Sequence, residues 1–128
     1  MDICTSKYEM TVIENIKFWK KLFSSSIKSK EIDAIINLLL LKDCKNTKVN
    51  YLSTGEIKKL ELCRLVIEQK KLWILDDPYL GLDKFITTIL NETLKSHIEN
   101  GGMVILASHF SPQIMDIEDL QLESYANN

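Results

Sequence analysis

The sequence predicts an α/β fold in which a small helical subdomain precedes a short parallel sheet with flanking helices. Amphipathic helical patterns dominate the first part of the chain. In the second part, two short apolar runs, 72–75 and 103–107, enclose a long helical pattern. A strand, a helix and a strand in that order form a parallel pair joined by a right-handed crossover. Because a doubly wound sheet normally needs more strands, we expect this sheet to be truncated on its N-terminal side.

The helical subdomain is predicted over about residues 10–50. Thr11 and Glu14 have the spacing of a capping box, which begins a helix over residues 12–23. A broad apolar stripe then predicts a second helix over residues 30–42. We expect the two helices to pack on each other.

The remaining elements follow from equally local signals. Ser53 and Glu56 form a second capping box, and the helix they begin runs to about residue 69 with apolar positions on more than one face. Both apolar runs predict strands that are buried on both faces. Asp83 caps a helix over residues 84–99, which Gly101 and Gly102 end. Further along, Pro112 suits the first turn of a short helix, and residues 120–122 suit an edge strand.

Composition narrows the class of protein. The chain has 128 residues, 45% of them hydrophobic and 27% charged, as expected for one soluble domain. A net charge of −2 gives no electrostatic reason to expect nucleic-acid binding. Its three cysteines are scattered, which favours free thiols in a reducing compartment. Neither a signal peptide nor an apolar run of membrane-spanning length is visible.

Two aspartates follow the first predicted strand. A carboxylate at the carboxyl end of a buried parallel strand projects into the ligand crevice of an α/β sheet. Asp76 and Asp77 therefore indicate a binding or catalytic site. A strand end followed by an Asp-Pro turn explains the same pair without any function.

A second candidate site lies at the helix that begins after Ser53. Here Ser53, Thr54, Gly55 and Glu56 combine a hydroxyl, an unhindered backbone and a helix N-terminus, which together make an anion site. A well-capped helix accounts for the same residues, and Glu56 adds negative charge to the proposed site.

Four segments follow one another along the chain: residues 52–56, residues 72–77, residues 80–83, and His109 just after the second predicted strand. In this order they resemble the signature motif, Walker B, D-loop and switch histidine in the C-terminal half of an ABC transporter ATPase. The resemblance implies a partial P-loop NTPase fold in which Asp76 holds Mg²⁺ and Asp77 occupies the catalytic position, where the family usually has Glu. It implies that the signature residues bind the γ-phosphate of ATP held by an opposite subunit. The site residues assigned in this way are Ser53, Thr54, Gly55 and Glu56 in the signature, Gly81, Leu82 and Asp83 in the D-loop, and His109 beside the γ-phosphate.

The chain is similar to one branch of this family, the haem-exporter ATPases of cytochrome c maturation. The similarity lies in residues 11–19, Trp73 and residues 101–106. The resemblance implies ATP and Mg²⁺ as cofactors, with integral membrane transporter subunits and a second ATP-binding subunit as partners. It places the protein on the cytoplasmic face of a bacterial inner membrane or its organelle equivalent. Residues 1–128 would then be a single partial ATP-binding domain, with the signature, Walker B, D-loop and switch regions over about residues 51–128.

The sequence also departs from the family. It contains no G-x-x-x-x-G-K-[ST] segment, so no residues of a P-loop are present. We expect little ATP hydrolysis by the chain alone, and two hypotheses stay open. The chain is a C-terminal piece that works with an N-terminal P-loop fragment, or it is a degenerate, non-catalytic fragment that acts at most as an interaction module. A response-regulator-like domain fits less well, since no suitable Lys follows the second strand.

Overall fold

The computed structural model describes residues 8–107. In chain order the elements are α1 (Val12–Leu22), α2 (Ser29–Leu38), two 3-10 turns (Lys42–Cys44 and Val49–Tyr51), α3 (Thr54–Glu68), β1 (Leu72–Asp76), α4 (Lys84–Glu99) and β2 (Met103–Ala107). This order confirms the predicted α/β fold class. The elements predicted around Pro112 and residues 120–122 lie outside the described residues.

Helix α1 begins at the capping box that the sequence predicts. Thr11 Oγ1 accepts a hydrogen bond from the Glu14 N–H at 3.2 Å, and Glu14 Oε1 accepts one from the Thr11 N–H at 3.1 Å. The buried face of α1 carries Trp19, which is 1% exposed. We expected α1 and α2 to pack on each other, but α1 makes its most extensive helix contacts with α3. The reason is that α3 buries residues on more than one face and so forms the centre of the core.

Helix α2 ends four residues before its predicted boundary. Leu40 adopts a left-handed φ of 58°, its N–H bonds to the Asn37 carbonyl, and the Leu41 N–H bonds to the Ile36 carbonyl. This is a Schellman motif with leucine at the position that glycine usually takes. The turn buries Leu41 while Leu40 stays 62% exposed. Burial of Leu41 therefore offsets the unfavourable backbone conformation of Leu40.

Strands β1 and β2 are parallel, with a register that runs from Leu72 beside Met103 to Asp76 beside Ala107. Trp73 and Leu75 point into the core, together with buried residues of α4. The prediction that both faces are buried is wrong for the described residues. Side chains alternate between the faces of a strand, and the second face is open: its four large apolar side chains are 40–61% exposed, namely Leu72, Ile74, Met103 and Ile105.

Among residues 8–107, no helix combines the length and the apolar content that crossing a bilayer requires.

The connection from α4 to β2 packs against His97. The His97 ring stacks on Trp73 with 3.7 Å between ring centroids, and its Nε2 lies 2.8 Å from the Lys71 carbonyl oxygen. Gly101 ends the helix with φ 87°. A Cβ at Gly102 would overlap the imidazole of His97. The imidazole is held on two sides, so it has little freedom to move away.

We expect Gly102→Ala to lower the free energy of unfolding by about 1–3 kcal/mol, the usual cost of overpacking. The measurement is urea unfolding of the full chain. The matched control is the double variant His97→Ala/Gly102→Ala, compared with His97→Ala alone. Without the ring, the added methyl group should cost much less. Equal costs with and without His97 would contradict this account.

Candidate functional site

The N-terminus of α3 and the turn that follows β1 lie side by side. A Cβ at Gly55 would be 3.4 Å from the Gly81 carbonyl oxygen, and a Cβ at Gly81 would be 4.0 Å from Thr54 Cγ2. Both distances correspond to ordinary van der Waals contact, so the two segments lie directly against each other. The structure thus brings the predicted signature and D-loop residues together within one chain.

The predicted capping box of α3 is present. Ser53 Oγ accepts from the Glu56 N–H at 3.1 Å, and Glu56 Oε1 accepts from the Ser53 N–H at 2.9 Å. The N–H groups of Thr54 and Gly55 belong to the first helical turn, where no intrahelical acceptor exists. Such groups, together with the helix dipole, can bind an anion.

Glu56 modifies the charge of this helix terminus. The hydrogen bond from the Ser53 backbone holds the pKa of the Glu56 carboxyl below its usual value, so Glu56 is ionised at neutral pH. Cys44 lies beside it, and burial followed by the Glu56 charge raises the pKa of the Cys44 thiol. A phosphate at this terminus would therefore meet a fixed negative charge as well as the favourable helix dipole.

The two candidate carboxylates lie at the last residue of β1 and the first residue of the turn that follows it. Asp76 is the last, exposed residue of the strand, and Asp77 adopts a left-handed φ of 43°. Aspartate tolerates that conformation better than most residues. The Asp77 N–H donates to the Ala107 carbonyl at 2.7 Å, while the Asp77 carbonyl accepts from Lys58 Nζ at 2.7 Å and from the Leu80 N–H at 3.2 Å. Three parts of the chain therefore hold the main chain of Asp77.

The donor set at the end of β1 suits Mg²⁺. This ion prefers oxygen ligands and is usually bound by one or two carboxylates together with substrate phosphates. Asp76 and Asp77 are consecutive carboxylates at the carboxyl end of a parallel strand. In the described part of the chain, His, Cys, Asp and Glu nowhere form a group of three that could hold a metal. Two carboxylates fill only part of the octahedral coordination of Mg²⁺, which leaves positions for phosphate oxygens.

Lys58 is a residue of this site that the motif analysis missed. Burial lowers its pKa, whereas the Asp77 and Asp76 carboxylates act in the opposite direction. A cavity of about 120 Å³ lies beside it between α3 and the end of β1; its lining includes Thr54, Lys58, Glu61, Asp76 and Pro78. The spacing of four residues from Thr54 places Lys58 on the same helix face. That spacing alone does not reveal the contact with Asp77.

The D-loop segment is attached to α4. Asp83 Oδ1 accepts from the Ile86 N–H at 2.8 Å, which confirms the predicted helix cap. The Tyr79 hydroxyl donates to Asn91 Oδ1 at 2.5 Å, and burial raises the pKa of Tyr79 to about 12. Gly81 takes a left-handed φ of 80°. The remaining predicted site residue, His109, lies outside the described residues.

Sequence comparison relates the chain to transport proteins. The pattern of the family described as ABC transporter matches residues 4–80. The cytochrome c biogenesis ATP-binding export protein CcmA of Rickettsia bellii is 37% identical over 116 residues, which cover 91% of this chain and 58% of that protein. The CcmA of Paracoccus denitrificans is 31% identical over 116 residues, with coverages of 91% and 53%. The chain therefore spans about half the length of the curated relatives it matches.

Solved structures share the fold. An ATP-binding subunit of an ABC transporter superposes with a TM-score of 0.70 at 18% identity, covering 80% of this chain and 44% of the other. An ABC transporter ATP-binding protein from Pyrococcus furiosus gives a TM-score of 0.69 at 21% identity, covering 84% and 54%. The partial coverage agrees with an incomplete ABC ATPase fold. Since the family pattern extends over more than half of the 128 residues and the fold agrees with it, the chain belongs to the ABC transporter ATP-binding family.

Proposed function

We propose that this chain supplies the signature, Walker B and D-loop part of the ATP-binding subunit of an ABC exporter that serves cytochrome c maturation. In that role, ATP hydrolysis by the completed subunit drives haem export. One observation carries the proposal: the N-terminus of α3 lies against the turn after β1. The candidate phosphate-binding residues and the candidate carboxylates are therefore held in fixed positions relative to each other. The similarity to CcmA proteins supports the choice of exporter.

In the proposed site, each motif has a separate role. Asp76 binds Mg²⁺, and Asp77 orients the attacking water. When bound, Mg²⁺ neutralises the charge that develops on the phosphate oxygens. The signature segment, residues 53–56, faces the γ-phosphate of ATP held by a second ATP-binding subunit. The D-loop segment, residues 81–83, lies at the contact between the subunits, and His109 contacts the γ-phosphate.

An N-terminal P-loop fragment is the proposed partner that completes the nucleotide site. Strands of a parallel sheet are normally covered on both faces, whereas one face of β1 and β2 is open in the described structure. The sheet there has only two strands, so β2 has an unpaired edge among residues 8–107. We propose that the P-loop fragment covers this face and extends the sheet beside β2.

Other partners and the location follow from the same proposal. The chain would act with integral membrane transporter subunits, on the cytoplasmic face of a bacterial inner membrane or of its organelle equivalent. The name of the relatives, ATP-binding export protein, supports this assignment.

A second candidate is a degenerate, non-catalytic fragment that acts as an interaction module. Two observations favour it. The left-handed φ of Asp77 gives a structural reason for aspartate in place of the usual glutamate, independent of catalysis. Moreover, aspartate is one methylene group shorter than glutamate, and a shift of about 1 Å in a catalytic group can cost on the order of a hundredfold in rate. The ionised Glu56 also weakens the proposed phosphate site.

Reconstitution separates the two candidates. The chain is co-expressed with the P-loop-bearing segment of the Rickettsia bellii relative, and ATP hydrolysis is compared with that of each piece alone. We expect the pair to exceed the sum of the pieces, and titration calorimetry of the chain alone with ATP and Mg²⁺ should show little binding. The control is the same segment with its P-loop lysine replaced by alanine. No gain over the separate pieces would favour the non-catalytic candidate.

A further inference from the structure

We propose that Lys58 is a positioning residue that holds the Asp76–Asp77 turn in its reactive conformation from the signature helix. This inference rests on the proposed function, because the reaction it serves is Mg²⁺-dependent ATP hydrolysis. Lys58 belongs to α3, whereas Asp76 ends β1 and Asp77 follows it. The bond from Lys58 Nζ to the Asp77 carbonyl oxygen therefore joins the two candidate site segments through one side chain.

The contact has the geometry of a strong hydrogen bond. Lys58 Nζ lies 2.7 Å from the Asp77 carbonyl oxygen, a distance typical of a charge-assisted bond. The same oxygen accepts the Leu80 N–H at 3.2 Å, and the Asp77 N–H donates to Ala107 at 2.7 Å. With φ 43°, Asp77 holds a left-handed backbone conformation that aspartate tolerates better than most residues but that still costs free energy. Lys58 supplies the bond from α3 that helps to keep Asp77 in this conformation.

The partial burial of Lys58 explains why its ammonium group needs a hydrogen-bond acceptor. The side chain is half-buried, and a half-buried ammonium group requires hydrogen-bond acceptors. The Asp77 carbonyl oxygen meets this requirement, and the same bond fixes the main chain of Asp77.

Four forms of the chain test the contact without any nucleotide. Lys58→Met keeps the aliphatic stem but removes the charge and the donors, and Lys58→Arg restores both, with the adjacent cavity giving room for the guanidinium. Lys59→Met removes a charge from the neighbouring position of the same helix. Wild type is the fourth form. The readout is amide hydrogen exchange of Asp77 by NMR, with the Leu90 amide in α4 as a reference for global stability.

We expect Asp77 to exchange about tenfold faster in Lys58→Met than in wild type, since a hydrogen bond to a charged group has been lost. Lys58→Arg should recover most of the protection. Lys59→Met should leave the exchange of Asp77 unchanged, and the exchange of Leu90 shows how much of any change comes from a loss of global stability. Unchanged exchange of Asp77 in Lys58→Met would overturn the proposal, as would equal effects of the Lys58→Met and Lys59→Met changes.

The reconstituted pair tests the consequence for the reaction. Lys58→Met should lower kcat about tenfold with little change in KM for ATP, because positioning acts on the chemical step. Lys58→Arg should restore most of kcat. Hydrolysis by Lys58→Met at the wild-type rate would overturn the role of Lys58 alone. Absence of hydrolysis in the wild-type pair would instead overturn the proposed function, and the positioning role with it.

Discussion

Asp76→Asn is expected to lower the ATPase rate of the reconstituted pair by about a thousandfold. A bound metal contributes several kcal/mol of transition-state stabilisation, and about 1.36 kcal/mol corresponds to a tenfold change in rate. Asparagine keeps the size of the side chain but loses the charge that a hard cation prefers. Because Asp76 is exposed, the fold should tolerate the change. The measurement is steady-state ATP hydrolysis over a range of Mg²⁺ concentrations.

The matched control for this change is Asp33→Asn. Asp33 is an exposed carboxylate on α2, and its loss should leave the rate of hydrolysis unchanged. Both variants should unfold within about 0.5 kcal/mol of wild type, as is usual for surface substitutions. If Asp76→Asn kept more than about a tenth of the wild-type rate, Asp76 would not be the principal Mg²⁺ ligand.

Trp19→Ala is expected to lower the free energy of unfolding by about 3–5 kcal/mol, the usual cost of truncating a buried aromatic residue. Trp19 is 1% exposed on α1, which packs against α3. Domains of this kind are stabilised by only about 5–15 kcal/mol in total. The change should therefore remove a large share of the stability. Urea unfolding of the full chain, followed by circular dichroism, measures the loss.

Leu22→Ala is the control for the same helix. Leu22 is 59% exposed, so its truncation removes little buried surface and should cost under about 1 kcal/mol. The large difference between the two variants depends on burial, since both residues belong to α1. Similar losses for Trp19 and Leu22 would mean that the α1–α3 contact contributes less than the structure indicates.

Local sequence signals predicted much of the fold because they act within one helical turn. The caps at Thr11, Ser53 and Asp83 are all present, since each needs only a side chain and a backbone group three residues away. The end of α2 was missed for a related reason. Its left-handed position carries Leu40, and the glycine that usually marks such a turn is absent.

Contacts between distant parts of the chain could not be predicted in the same way. Lys58 bonds to Asp77 across 19 positions, and His97 reaches Lys71 across 26. Each of these residues has an ordinary local role in its own element. The motifs therefore predicted the residues of the candidate site, but they did not reveal that Lys58 bonds to the main chain of Asp77.

The sequence by itself determined the order of the elements, the helix caps and the family, because these depend on spacing along the chain. Only the tertiary structure decided that one face of the β1–β2 sheet is open and that Asp77 has a left-handed backbone held by Lys58. The physical reason is the separation along the chain of the residues that interact. A cap or a motif joins residues within a few positions, whereas burial and the restraint of a turn depend on which distant segments pack together.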